Sequence, residues 1–174
     1  MAATDADLPT IVRSVREGRS INGTISTSIR FQLSTNIGAI LALLVPVLAG
    51  LPAPMSAIQL LWVNIIMDGP PAMALGVDPP RGNVMHRPPR SPGERILGAR
   101  RLIAIIRSGA VMAIGTVAVF AAARQLTDAA SAATMAFTTF VLFQLCNALV
   151  ARSEDDPVLG RHQLHNRTLW ISLA

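Results

Sequence analysis

Lysine is absent from the 174-residue sequence, so all 15 basic residues are arginine, a bias that points to a GC-rich genome. Cysteine occurs once, as Cys146 inside an apolar run, which excludes a disulfide framework and a thiolate metal cluster. Aromatic residues make up only 4%, leaving few platforms for base stacking; despite a net charge of +5 and a pI near 11.4, nucleic acid is not an expected partner. Charged residues are scarce too, at 14% against a hydrophobic fraction of 51% and a mean hydropathy of +0.47. Those values exclude a disordered tail and count against an ordinary soluble domain. No cleavable signal is read near Met1, because the first apolar run follows about 30 polar residues.

What the chain does have is apolar length. Four stretches, 31–51, 56–75, 102–123 and 134–151, approach the roughly 20 residues that a spanning helix needs. A fifth run, 168–174, has the look of a span cut short. The expected fold is an all-α membrane protein: a bundle of four transmembrane helices plus a truncated fifth, preceded by an N-terminal cytoplasmic stalk helix.

Arginine placement orients the bundle. Arg13, Arg16, Arg19 and Arg30 precede the first span, Arg81, Arg87, Arg90, Arg95, Arg100 and Arg101 lie between the second and third, and Arg152, Arg161 and Arg167 follow the fourth. The opposite side carries only Arg124, and Arg107 can snorkel to the richer interface. The N-terminus is therefore expected in the cytoplasm. Before the first span, Asp7 can cap a helix, Pro9 suits an early position, and Ile11, Val12, Val15, Ile21, Ile25 and Ile29 continue it. Such a helix either runs unbroken into the membrane as a stalk or lies on the surface, the alternative that Gly18 and Gly23 keep open. Residues 77–101, rich in Pro and Arg, read as an extended, stiff connector.

Nine of the ten acidic residues lie outside the spans, and the tenth, Asp68, sits in the second. A buried carboxylate is costly unless compensated, so its default reading is functional. Asn64, four residues earlier, shares its α-helical face, and together they form an oxygen cluster suited to a hard cation. Gly69-Pro70-Pro71 follows and is expected to break the helix, freeing the carbonyls of Ile66 and Met67. The structural alternative is a proline kink beside a protonated Asp68 hydrogen-bonded to a neighbouring helix. Asn36, beside Ser34 and Thr35 on the first span, is either a further ligand or helix-packing glue. Gln144 and Asn147 on the fourth span suit interhelical hydrogen bonding, while Gly38 and Ala39 permit close helix approach. Asn36, Asn64, Asp68 and one freed carbonyl fall short of the six to eight oxygens calcium takes, so water or another helix must complete a cage.

The stretch Leu60-Leu61-Trp62-Val63-Asn64-Ile65-Ile66-Met67-Asp68-Gly69-Pro70-Pro71-Ala72, with Leu75-Gly76 and Pro79-Pro80 after it, resembles the sixth transmembrane helix of P-type cation-transporting ATPases. The similarity is closest to the secretory-pathway calcium/manganese type. Thr10-Ile11-Val12 through Glu17-Gly18-Arg19, Arg30-Phe31-Gln32-Leu33-Ser34-Thr35-Asn36, Arg87-Pro88-Pro89-Arg90-Ser91-Pro92 and Phe143-Gln144-Leu145-Cys146-Asn147-Ala148-Leu149 agree in order, so the resemblance covers nearly the whole chain. It implies that Asn64 and Asp68 are ion ligands and that Asn36 matches the fifth-helix Asn of the sarcoplasmic-reticulum type, where secretory-pathway pumps often carry Ser. Ala39 and Gln144 stand where two-ion pumps place Glu, which implies a single ion site and a nearly silent Gln144→Ala exchange. Met73 replaces a Gln implicated in manganese handling, a departure that weighs against manganese selectivity.

By the same resemblance, residues 1–30 are the end of a phosphorylation domain and a stalk, 31–151 the transmembrane domain, and 152–174 a cytoplasmic loop with the start of a further span. The family's Asp-Lys-Thr-Gly-Thr phosphorylation motif is absent, as are its nucleotide-binding and actuator domains. The implied function is the C-terminal membrane part of an ATP-driven pump, not an enzyme on its own. Calcium or manganese would be the transported ion, with ATP and magnesium used only by the complete pump. Its expected surroundings are the lipid bilayer of a bacterial plasma membrane and the remaining pump domains in trans. The alternatives are a non-catalytic membrane subunit and a non-functional gene remnant.

Overall fold

The computed structural model describes residues 8–76 and 98–152. The capping role of Asp7, most of the 77–101 connector and the 168–174 run lie outside them. The described residues are helical, with no strand among them: α1 (Leu8–Leu48), α2 (Ala57–Trp62), a π-wound segment (Val63–Asp68), α3 (Gly69–Gly76), α4 (Ala99–Leu126) and α5 (Ala129–Arg152). Three helical stretches, Pro9–Leu48, Ala99–Leu126 and Ala129–Ala151, are long and apolar enough to cross a membrane.

Of the two courses open to the N-terminal helix, the structure takes the continuous one. α1 is a single helix of 41 residues, which at 1.5 Å per residue is about 60 Å long, roughly twice the hydrocarbon core of a bilayer. Gly18 and Gly23 stay within it, in open space. Its end is set by local chemistry. Gly50 adopts φ +75°, Leu51 N–H donates to Pro46 O at 2.9 Å, and Gly50 N–H donates to Val47 O at 3.1 Å. These two bonds form a Schellman motif, which needs a residue in the left-handed region at the position Gly50 occupies. A capping box then starts α2: Ser56 Oγ accepts from Gln59 N–H at 3.2 Å while Gln59 Oε1 accepts from Ser56 N–H at 2.8 Å.

α1 packs chiefly on α4, α4 on α5, and α3 and α5 both return to α1. The α1–α4 crossing is close because glycine faces glycine: a Cβ on Gly109 would lie 2.9 Å from Ser34 O and 3.0 Å from Gly38 N. On the other side of α4, the Phe143 ring lies directly against Gly115. Large apolar side chains such as Ile40, Ile58, Ile65, Ile103, Ile114 and Leu142 remain exposed around the bundle. Apolar surface on that scale suits lipid or further helices rather than water.

Candidate functional site

The site is built where the second apolar stretch changes its winding. In an α-helix through residues 66–71, Pro70 and Pro71 would each lack the N–H for the carbonyl four positions back and press their rings against it. The chain answers with π winding over Val63–Asp68, and both prolines then fall in the first turn of α3, where a missing N–H costs little. The expected break is corrected accordingly. The segment stays helical from Ala57 to Gly76, and the strain at Gly69-Pro70-Pro71 is taken up by a wider turn instead of an unwound one. Ser28 Oγ on α1 donates to Ala72 O at 3.2 Å and ties α3 down just beyond this point.

Asp68 closes the π turn and is buried, with 5% of its surface exposed. Gln144 Nε2 on α5 donates to its Oδ1. Three residues further along α5, Asn147 Nδ2 donates to Ser34 Oγ at 2.7 Å and to Thr35 Oγ1 at 3.3 Å, both on α1. The hydroxyl protons of Ser34 and Thr35 serve their own helix: Ser34 Oγ lies 2.8 Å from the carbonyls of Arg30 and Phe31, and Thr35 Oγ1 is 3.0 Å from Phe31 O. Their lone pairs are what the Asn147 amide uses.

This polar layer sits between two apolar clusters. Phe31, Ala72, Leu75, Ala148 and Ala151 pack on one side of it, and Ala39, Ala42, Val63, Met112 and Phe140 on the other. Along α1, along the π segment and α3, and along α5 the polar residues fall between the two clusters, α1 running in the opposite sense to the other two, so three elements bring polar groups to one depth. In such surroundings each group must find a partner inside the protein.

The expected ligands are divided by this arrangement. Asp68 lies in the buried layer, whereas Asn36 is exposed on α1, one position beyond the buried Thr35. Asn64 is also exposed, and its Nδ2 donates to Leu60 O of its own segment at 3.0 Å. Although four residues apart, the two differ in burial: Asp68 is buried and Asn64 is not. Among the described residues, no group of three or more His, Cys, Asp or Glu comes together. Gln144 and Asn147 make the interhelical hydrogen bonds expected of them, but the partner of Gln144 is the key carboxylate. Two amides three residues apart in an apolar helix were the visible signal, since that spacing puts both on one face.

The hydrogen bond at Asp68 also bears on its alternative reading as a structural carboxyl. The donor comes from a neighbouring helix, as that alternative expects, and an amide N–H is a neutral donor that a carboxylate and a carboxylic acid accept alike. Hard, oxygen-seeking cations are the species such a group can hold.

Residues 52–174, most of the chain, match the family model described as the C-terminus of cation transporting ATPases. The chain belongs to this family. Mouse calcium-transporting ATPase type 2C member 2 is 43% identical over 177 residues, covering 99% of this chain and 18% of the mouse protein. Human calcium-transporting ATPase type 2C member 1 is 40% identical over 170 residues, 96% of this chain and 18% of the human protein. A calcium-transporting ATPase of Bacillus subtilis is 38% identical over 168 residues, 95% of this chain and 19% of that protein. The kinship read from the motif around Asp68 therefore holds, including the secretory-pathway type 2C pumps. The chain spans less than a fifth of the length of these curated relatives.

Proposed function

We propose that this chain is the C-terminal membrane sector of an ATP-driven calcium-type pump and that it carries part of a single cation site centred on Asp68. The observation that supports this most is the meeting, at one depth of the bundle, of a buried carboxylate, a π-wound turn and the Gly69-Pro70-Pro71 sequence. π turns recur at functional sites, and a lone acid in a spanning bundle marks an ion pathway by default. In this reading residues 57–76, about 30 Å of helix by the α rise, form a second span between α1 and α4. Residues 168–174 begin a fifth.

Asn64 and Asn36 are the further oxygen donors of the site, reached from exposed faces that other helices of a complete pump would cover. Calcium takes six to eight oxygens, so water or those helices complete the cage. Relatives named as calcium-transporting favour calcium, and oxygen ligands also accept manganese. ATP and magnesium act in phosphorylation and nucleotide-binding domains lying outside these residues. The stretch 1–30 is the end of the phosphorylation domain and a stalk, 31–151 forms the transmembrane domain, and 152–174 is a cytoplasmic loop and the start of that fifth span. The arginine asymmetry puts the N-terminus and the 77–101 connector on the cytoplasmic face of a bacterial plasma membrane.

The test is to install this segment in the complete Bacillus subtilis relative and compare it with its Asp68→Asn variant. Asn keeps the size and hydrogen-bonding capacity of Asp but removes the charge that offsets dehydration of a dication. Calcium-dependent phosphorylation from ATP and calcium uptake into vesicles are expected with Asp68 and lost with Asn. Undiminished uptake by the Asn variant would overturn the reading.

A further inference from the structure

We infer that Gln144 is a positioning residue for this cation site: its amide N–H holds the Asp68 carboxylate by Oδ1 and leaves the rest of that carboxylate to the ion. The inference rests on the proposed role of Asp68 and concerns how its affinity is set.

Gln144 is 1% exposed and reaches Asp68 from α5, which Asn147 anchors to Ser34 and Thr35 on α1 within the same turn. The support for the carboxylate is therefore fixed at both ends. Packing does not account for an amide at this position. Gln144 Oε1 is buried with no hydrogen-bond partner among the described protein atoms, and leucine would fill a similar volume without an unpaired acceptor. What the amide supplies and leucine does not is the donor to Asp68. A neutral donor also suits the task better than a cationic one. Arg or Lys would orient the carboxylate but cancel its charge and compete with a dication, whereas an amide orients it and leaves the charge in place.

Hydrogen bonds that orient a ligating carboxylate are typically worth 10- to 100-fold in metal affinity. In the complete pump carrying this segment, Gln144→Met keeps the length of the side chain and removes the donor. The calcium concentration for half-maximal phosphorylation is expected to rise about tenfold or more, with the level at saturating calcium retained. Gln144→His offers an N–H without a carbonyl oxygen and is expected to recover part of that loss. If Gln144→Met does not reach the membrane, Gln144→Asn, which keeps the amide but shortens its reach, is expected to give the same rise.

Unchanged calcium dependence in the Met variant, or in the Asn variant where Met does not assemble, would overturn the inference. So would a His variant as impaired as Met, because the Gln oxygen rather than its N–H would then be at work. Asp68→Asn is measured in parallel. Loss of calcium dependence there with no effect at Gln144 refutes the positioning role alone, whereas normal transport by the Asn variant refutes the site itself.

Discussion

Asn147 donates its side-chain amide to the hydroxyl of Ser34 at 2.7 Å, joining residues 113 positions apart in the chain. The bond lies within one turn of α5 from the Gln144 contact to Asp68, so the last described helix grips the first at the depth of the buried carboxylate. Hydrogen bonds of this kind contribute about 0.5–2 kcal/mol between membrane helices. In the reconstituted chain, Asn147→Leu and Ser34→Ala are each expected to destabilise the bundle, and a double-mutant cycle on detergent unfolding should return a coupling in that range. Additive effects would mean that the two side chains do not depend on each other.

The α1–α4 crossing tolerates no side chain at Gly109. A Cβ there would stand 2.8 Å from Ile37 Cγ2 as well as 2.9 Å and 3.0 Å from backbone atoms of Ser34 and Gly38, and backbone cannot rotate aside. Gly109→Ala is expected to cost about 1–3 kcal/mol through overpacking. Gly18→Ala, in open space on the same long α1, is expected to stabilise by about 0.5–1 kcal/mol. Thermal unfolding of the two variants should move in opposite directions.

Asp128 caps α5 outside the membrane-spanning segments. Its Oδ1 accepts from Ser131 Oγ at 2.7 Å, and its Oδ2 accepts from the backbone N–H groups of Ser131 and Ala130 at 3.1 Å each. Those bonds, the Ser131 hydroxyl foremost, hold the Asp128 carboxyl below the usual carboxylate range. A group whose folded pKa is depressed stabilises the fold above its unfolded pKa, and that contribution disappears as pH falls through the folded value. Melting temperature measured from neutral to acid pH should therefore differ most between the native chain and Asp128→Ala at neutral pH. The two curves should converge in acid. A constant gap would show that the cap acts without its charge.

Much of the architecture follows from local chemistry that any reader of the chain can follow. Apolar length set the helical spans, and arginine placement, a long-range bias requiring no folded contact, carries the proposed orientation. Gly50 and the Ser56/Gln59 pair mark the end of α1 and the start of α2, because a left-handed residue and a capping box are requirements of neighbouring backbone alone. The conflict between Gly69-Pro70-Pro71 and α winding is equally local. How the chain resolves it is not, since an unwound break and a π turn both relieve the prolines, and the choice lies with the packing around Asp68 and the tie from Ser28 to Ala72.

Which faces meet was decided by the tertiary structure. Lipid and protein core are both apolar, so a membrane helix carries little amphipathic pattern to say which side turns inward. The sequence spacing could group Ser34, Thr35 and Asn36 on one turn, but the rotation of α1 against α5 buries the first two and leaves Asn36 outside. It could place Gln144 and Asn147 on one face of α5, but only the approach of α5 to the π turn gives Gln144 to Asp68. Helix crossing and rotation depend on pairs of side chains far apart in the chain, and those pairs exist only once the helices have packed.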